Sequence, residues 1–145
     1  MGFTICEGDT KANSYDSDGC GGGLYAGKSD VRAIDCTFRN CWGSRGGALY
    51  SGTAIRCLFV GNKMYNGANG AIARASYLFN CIALNNIPGG QPALQGCNAV
   101  NCTFVGNGSG SLISEGSLLR NCIAVANAGK NAASGCYDFR GSVLS

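Results

Sequence analysis

The sequence predicts an all-β fold, a right-handed parallel β-helix of about six coils with 20–24 residues in each coil. Two observations predict it. A phrase of the form polar-Cys-x-apolar-x-x-Asn returns at a nearly constant interval, as in NCIALNN (80–86) and NCTFVGN (101–107). The composition combines 24 glycines with 2 prolines and 13% charged residues, which is typical of short strands joined by tight turns. We expect residues 1–145 to form one β-helix domain, either whole or part of a longer solenoid.

The first predicted element of each repeat is a strand around a cysteine. Residues two positions before and two positions after this cysteine are nearly all apolar, as Ile55 and Phe59 are around Cys57. Such alternation predicts a strand with one buried face, so all three positions should point inward. Arg120 breaks the pattern, and we expect the last coil to shift register or fray there, or to form a cap. The aligned cysteines are spaced 21, 24, 21 and 20 residues apart: Cys36, Cys57, Cys81, Cys102 and Cys122.

These five cysteines should form a ladder inside the solenoid. Each would pack as a small apolar residue on the cysteine of the next coil. Side chains on neighbouring parallel strands point the same way rather than towards each other, so we expect mostly thiols and not disulfides.

A second predicted strand precedes the first in each repeat. The segments GGLYAG (22–27), GALYSG (47–52), GAIARA (70–75), PALQG (92–96) and SLISEG (111–116) align. This alignment places one aliphatic residue of each repeat in the same position: Leu24, Leu49, Ile72, Leu94 and Ile113. Equivalent strands of successive coils would pair in parallel, about 4.8 Å apart, with right-handed connections.

An asparagine lies five positions after the cysteine in four repeats: Asn62, Asn86, Asn107 and Asn127. Stacked amide side chains hydrogen-bond from coil to coil, and asparagine tolerates left-handed backbone angles. We interpret these residues as an internal asparagine ladder that holds a turn. The alternative, a metal or sugar site, lacks neighbouring carboxylates at most rungs.

Two candidate binding surfaces follow from the same alignment. Tyr25 and Tyr50 occupy equivalent outward positions and predict a pair of exposed rings that would hold a sugar ring or a protein partner. The outward positions of the cysteine strand predict an apolar stripe, which either bends inward near the Phe position or is covered by another chain, another segment or another copy. The members of this stripe are Leu58, Val60, Ile82, Leu84, Thr103, Val105, Ile123 and Val125.

Residues that carry metal or catalytic chemistry are scarce. The chain has no histidine and no CxxC pair, so we assign no zinc site, no cofactor and no catalytic residue. Asp16 and Asp18 resemble part of a calcium loop without its later ligands, so we interpret them as part of a solvated loop and only as weak metal candidates. The net charge of +3 is spread without a basic run, and no apolar stretch is long enough to span a bilayer, so we expect neither a nucleic-acid partner nor a membrane span.

Paired signatures carry a resemblance to a known family. They are GGAL at 46–49 and FVGN at 59–62 and 104–107. These segments resemble the repeats of polymorphic outer membrane proteins and related β-helical autotransporter passengers. Ala83 and Ala124 stand where the signature has phenylalanine. The resemblance implies an extracellular or cell-surface location and an adhesin-like role.

The expected function is therefore a non-catalytic structural or adhesin-like module that binds a protein or glycan through a side face. One alternative is a carbohydrate-active β-helix enzyme, a lyase or hydrolase, for which N-terminal acids such as Glu7 and Asp9 are the candidates. Another is a fibre unit that self-associates end to end or side to side, because uncapped solenoid ends leave strand edges unpaired.

Overall fold

The computed structural model shows an all-β parallel solenoid. Its strands are short, and nearly all contain two to four residues. The residues that it describes are 2–10, 19–27, 30–108, 112–113, 116–127, 139–140 and 143–144.

Three parallel sheets run along the solenoid, with strands numbered in chain order. The seven-stranded sheet contains, in spatial order, β1 (Thr4–Cys6), β4 (Thr37–Arg39), β8 (Leu58–Val60), β12 (Ile82–Leu84), β15 (Thr103–Val105), β17 (Ile123–Val125) and β19 (Val143–Leu144). The six-stranded sheet contains β3 (Arg32–Ile34), β7 (Thr53–Ile55), β11 (Tyr77–Phe79), β14 (Asn98–Val100), β16 (Leu118–Arg120) and β18 (Phe139–Arg140). The four-stranded sheet contains β2 (Leu24–Tyr25), β6 (Leu49–Tyr50), β10 (Ala73–Arg74) and β13 (Leu94–Gln95). A separate parallel pair joins β5 (Trp42–Arg45) to β9 (Lys63–Asn69).

About four turns are complete, fewer than the six expected from the repeat spacing. Four successive turns place one strand in each of the three sheets, from β2-β3-β4 to β13-β14-β15. The remaining strands belong to partial turns. Among the described residues, β1, β16 and β17 have no corresponding strand in the four-stranded sheet. Ile113 adds only an isolated bridge to Leu94.

The chain turns a corner one residue before each aligned cysteine, so the predicted continuous strand is wrong. The residue two before the cysteine ends a strand of the six-stranded sheet and faces outward, and the residue three before it faces inward. Ile34 is 45% exposed whereas Ala33 is buried. Arg120 faces outward by the same rule, without a register shift. The corner residues have left-handed backbone angles: Asp35 (φ 54°), Arg56 (φ 51°), Asn80 (φ 54°), Asn101 (φ 55°) and Asn121 (φ 49°).

One rung of the four-stranded sheet also differs from the alignment. Leu24 pairs with Leu49 as predicted. However, Ala73 rather than Ile72 pairs with Leu49 and Leu94. Ile72 aligns instead with Ala48 and Ala93, which are also fully buried. This turn therefore places its large core residue one position earlier and an alanine at the rung that leucine fills in the neighbouring turns.

Large and small side chains alternate across the core. Within each turn, the inward residue of the six-stranded sheet belongs to the same core cluster as the inward residue of the seven-stranded sheet. Where the seven-stranded sheet supplies phenylalanine, the six-stranded sheet supplies alanine. Where the seven-stranded sheet supplies alanine, the six-stranded sheet supplies leucine. This complementarity keeps the core volume nearly constant along the solenoid and explains why Ala83 and Ala124 replace phenylalanine. The pairs are Ala33 with Phe38, Ala54 with Phe59, Leu78 with Ala83, Ala99 with Phe104, and Leu119 with Ala124.

Candidate functional site

The predicted asparagine ladder is confirmed, and it is structural. The Asn86 amide nitrogen donates to the Phe59 carbonyl at 3.0 Å and to Asn107 Oδ1 at 2.8 Å. Asn86 Oδ1 accepts from both the backbone and the side-chain nitrogen of Asn62, each at 2.9 Å. Asn127 continues the same pattern beyond Asn107. Because neighbouring turns satisfy these buried amides, the ladder has no polar group left to offer a metal or a sugar.

The five aligned cysteines are buried at the corner that leads into the seven-stranded sheet. The Cys102 thiol lies 3.5 Å from the Leu78 carbonyl of the preceding turn, and the Cys81 amide lies 3.4 Å from Cys102 Sγ. The cysteines in the described ranges are thiols and not disulfides. The neighbouring Cys81 thiol and burial raise the pKa of Cys57, and burial raises the pKa of Cys97 to about 12. Cys57 and Cys97 therefore stay protonated at neutral pH and are poor nucleophiles, whereas hydrogen bonds from the Cys102 and Cys57 thiols lower the pKa of the Cys81 thiol between them.

No metal centre emerges from the part of the chain that the structure describes. There, no group of three or more histidine, cysteine or acidic side chains is placed to hold an ion. Asp16 and Asp18, the two weak calcium candidates, lie outside the described residues.

The predicted apolar stripe lies on the outer side of the seven-stranded sheet, and we call its eight residues the apolar face. Ile82 is 46% exposed and Ile123 is 50% exposed, while Ala83 between two face residues is buried. The strand therefore does not bend to bury the stripe; only its middle residue points inward. The apolar face consists of Leu58, Val60, Ile82, Leu84, Thr103, Val105, Ile123 and Val125.

A polar ridge of corner residues borders the apolar face. Arg56 donates to both carboxylate oxygens of Asp35, at 2.7 and 2.8 Å. Further along, the Asn121 amide donates to Asn101 Oδ1 at 2.6 Å. These groups are solvated, so the pairs align neighbouring turns while contributing little stability.

A second set of apolar residues lies beyond this ridge, on the outer side of the six-stranded sheet. Ile55, Phe79 and Val100 are half-buried there. Sequence reasoning missed them because it assigned this position to the core. The signal was present in the asparagine and aspartate residues at most corners, since these side chains favour left-handed backbone angles.

The tyrosine pair lies on the outer side of the four-stranded sheet. The Tyr25 and Tyr50 ring centres are 5.4 Å apart, with a tilt of 35°. Beside the pair, at the corner that leads into the six-stranded sheet, is an open groove of about 260 Å³, which we call the tyrosine groove. The residues that define it here are Gly27, Asp30, Ser51, Thr53, Ala75 and Tyr77.

A cluster around Trp42 was also missed from the sequence. The Trp42 and Tyr65 rings stack with centres 4.9 Å apart, and the Lys63 ammonium lies 5.7 Å from the centre of the Trp42 ring. Tyr65 donates from its hydroxyl to Asp9 at 2.6 Å, which raises the pKa of Tyr65. Asp9, an acid considered for catalysis, thus accepts a hydrogen bond from a residue 56 positions away, a distance over which local patterns carry no signal.

Comparisons with known proteins do not indicate a function for this chain, so the functional argument rests on the geometry described above. No family model, no curated protein and no solved structure matches this chain. Among the described residues, no helix has the length and apolar character that crossing a membrane requires.

Proposed function

We propose that this solenoid is a non-catalytic structural module, adhesin-like in role, that binds a protein partner through its apolar face. The observation that carries the proposal is a run of uncharged, mostly apolar side chains on the outer side of four successive strands, exposed on β12 and β17 and half-buried on β8 and β15. Monomeric proteins seldom leave a contiguous apolar patch in water unless it serves an interaction. The resemblance to autotransporter passengers supports an extracellular or cell-surface location.

The chemistry of the apolar face favours a protein over a glycan. Its eight side chains include one hydroxyl, that of Thr103, and no charge. Sugars need a dense set of hydrogen-bonding groups, whereas aliphatic side chains of a flat sheet pack well against the apolar side chains of another protein.

The extent of the face indicates how the partner would bind. With strands about 4.8 Å apart, four short strands offer an area on the order of 200–300 Å². A stable interface buries about 800 Å² on each partner. The bound partner would therefore also contact the outer side of the six-stranded sheet, across the polar ridge, where Ile55, Phe79 and Val100 lie.

A charged substitution at the centre of the face tests the proposal. Ile82→Lys places an ammonium group among the apolar residues while leaving the core untouched, since Ile82 points to solvent. We expect proteins captured from cell-surface extracts by the immobilised wild-type chain to include a specific partner whose affinity falls at least tenfold with Ile82→Lys. Gln95→Lys, on the outer side of β13 in the four-stranded sheet and away from both contact surfaces, is the matched control and should leave the affinity unchanged.

Sedimentation over a range of concentrations separates a foreign partner from a second copy. If the wild-type chain dimerises and Ile82→Lys does not, the apolar face joins copies of this chain, and the fibre alternative replaces the proposal. Equal capture by the wild type and both variants would refute a role for the apolar face.

A further inference from the structure

We propose that the tyrosine groove is a subsite for one ring of a neutral hexose oligosaccharide. The groove lies between the four-stranded and six-stranded sheets and shares no residue with the apolar face. It would give the module a second binding function, independent of the protein partner.

The groove exists because the corner beside it has short side chains. Ser51 and Ala75 adopt left-handed backbone angles, φ 60° and φ 50°, like the residues at the next corner of each turn. At that next corner the side chains are long and polar, with Arg56 and Asn80 in the same two turns. The difference leaves a concave space that opens to solvent beside Tyr77, which is 51% exposed.

Aromatic rings border this space. A Cβ atom placed on Gly27 would lie 3.6 Å from Tyr25 Cε1, so the Tyr25 ring lies beside the backbone that lines the groove. The Tyr50 ring packs against Tyr25, which limits the motion of both rings before a ligand arrives. Tyr77 belongs to the lining itself. The C–H bonds on one face of a pyranose ring carry partial positive charge, which the electron-rich face of a phenol attracts.

Polar groups accompany the rings. Ser51 and Thr53 each supply a hydroxyl, and Asp30 supplies a carboxylate at the solvent side. The Arg32 guanidinium donates to Asp30 Oδ2 at 2.9 Å, which leaves the other carboxylate oxygen able to accept from a sugar hydroxyl. The ion pair has no net charge, so it offers no advantage to an anionic sugar such as a uronic acid.

The dimensions fit one sugar ring. A volume of about 260 Å³ falls below the range of roughly 300–1,000 Å³ that encloses drug-sized ligands. The groove is open, so binding of one sugar ring would be weak. We expect a Kd in the millimolar range, which corresponds to a binding free energy of about −4 kcal/mol.

The test uses nuclear magnetic resonance titration of the whole chain with tetrasaccharides of β-1,4-linked glucose, mannose and galactose, and with tetragalacturonate as the anionic contrast. We expect at least one neutral tetrasaccharide to shift the Tyr77 ring signals, with weaker binding of tetragalacturonate. Tyr77→Ala should weaken the binding about tenfold, the loss expected when one aromatic stacking contact is removed.

A filled groove provides the sharper comparison. Ala75→Asn adds a side chain at an exposed left-handed position that asparagine adopts readily, so it should block the groove without unfolding the chain. Ala126→Asn is the matched control, because Ala126 is also exposed and has φ 51° but lies at another corner. We expect Ala75→Asn to abolish binding and Ala126→Asn to preserve it.

Three outcomes would overturn the proposal. The first is that no neutral tetrasaccharide binds at a concentration of 20 mM or below, on the order of the weakest useful affinity. The others are that Ala75→Asn binds the tetrasaccharide as the wild type does, or that tetragalacturonate binds best. Ile82→Lys should retain sugar binding, so a failure of the protein-binding proposal and a failure of this one are distinguishable.

Discussion

Single buried amides hold successive turns of this solenoid in register. Asn86 is fully buried, and its side chain satisfies the Phe59 carbonyl, Asn107 Oδ1 and two nitrogens of Asn62. An alanine there would remove the partner of the Phe59 carbonyl and of the Asn62 backbone N–H, and each orphaned buried group costs about 1–3 kcal/mol. Asn107 Oδ1 would keep the Asn86 backbone donor, and the Asn62 side chain would keep the Phe38 carbonyl.

We therefore expect Asn86→Ala to lower the free energy of unfolding by at least about 2 kcal/mol. Urea denaturation followed by circular dichroism measures the change. The control is Asn98→Ala on the outer side of β14, where a surface substitution should change stability by about 0.5 kcal/mol or less. Equal effects of the two substitutions would mean that the ladder contributes no particular stability.

At the scale of the strands, each turn depends on a pair of inward residues from two sheets. The local phrase around the cysteine specifies one member of the pair, for example Phe59, and the other member, Ala54, precedes it by five residues. The seven-stranded sheet would need phenylalanine in every turn only if the inward residue of the six-stranded sheet were always small. The alternation of pairs accounts for departures from the repeat that look like defects when one strand is read alone.

Substitutions at this pair test the complementarity. Phe59→Ala should destabilise the chain by about 3–5 kcal/mol because it leaves a cavity in a closely packed core. Ala54→Leu alone should cost about 1–3 kcal/mol by overpacking. Together they reproduce the arrangement of Leu78 with Ala83, so the double variant should be more stable than Phe59→Ala by about 1 kcal/mol or more. Strict additivity in a double-mutant cycle would contradict the proposed compensation.

At the scale of the whole molecule, the five aligned cysteines and Cys97 lie as thiols in one continuous core. Burial raises the pKa of Cys97 to about 12, above the value of an unfolded thiol. A raised pKa means that the folded state retains its proton where the unfolded state has lost it. The resulting stability is complete below the unfolded pKa and is lost as the pH rises from about 9 towards 12.

We expect the free energy of unfolding to fall between pH 8 and pH 10.5, with a contribution of about 2 kcal/mol from Cys97 alone. Denaturant titrations at the two pH values measure the change. Cys97→Ala removes the titrating group, so its stability should depend less steeply on pH than that of the wild type. An unchanged pH dependence in this variant would show that the Cys97 thiol does not titrate differently in the two states.

The geometry of the corners limits how far the sequence could predict the surfaces. A straight strand and a strand broken before the cysteine both direct Cys57 and Phe59 inward. They differ in the fate of Ile55, which a left-handed Arg56 turns outward. The position of the apolar face was predictable because it follows the cysteine, where both alternatives agree.

The sequence alone determined the repeat, the parallel solenoid and the asparagine ladder, because each depends on residue types that return at one interval. Tertiary structure decided which side of each corner faces water, how Ala54 and Phe59 share the core, and where Tyr77 meets the turn that holds Ser51. Those outcomes depend on backbone angles at single residues and on contacts between turns about 20 residues apart. Alternating apolar positions record the period of a strand but not the residue at which the chain turns.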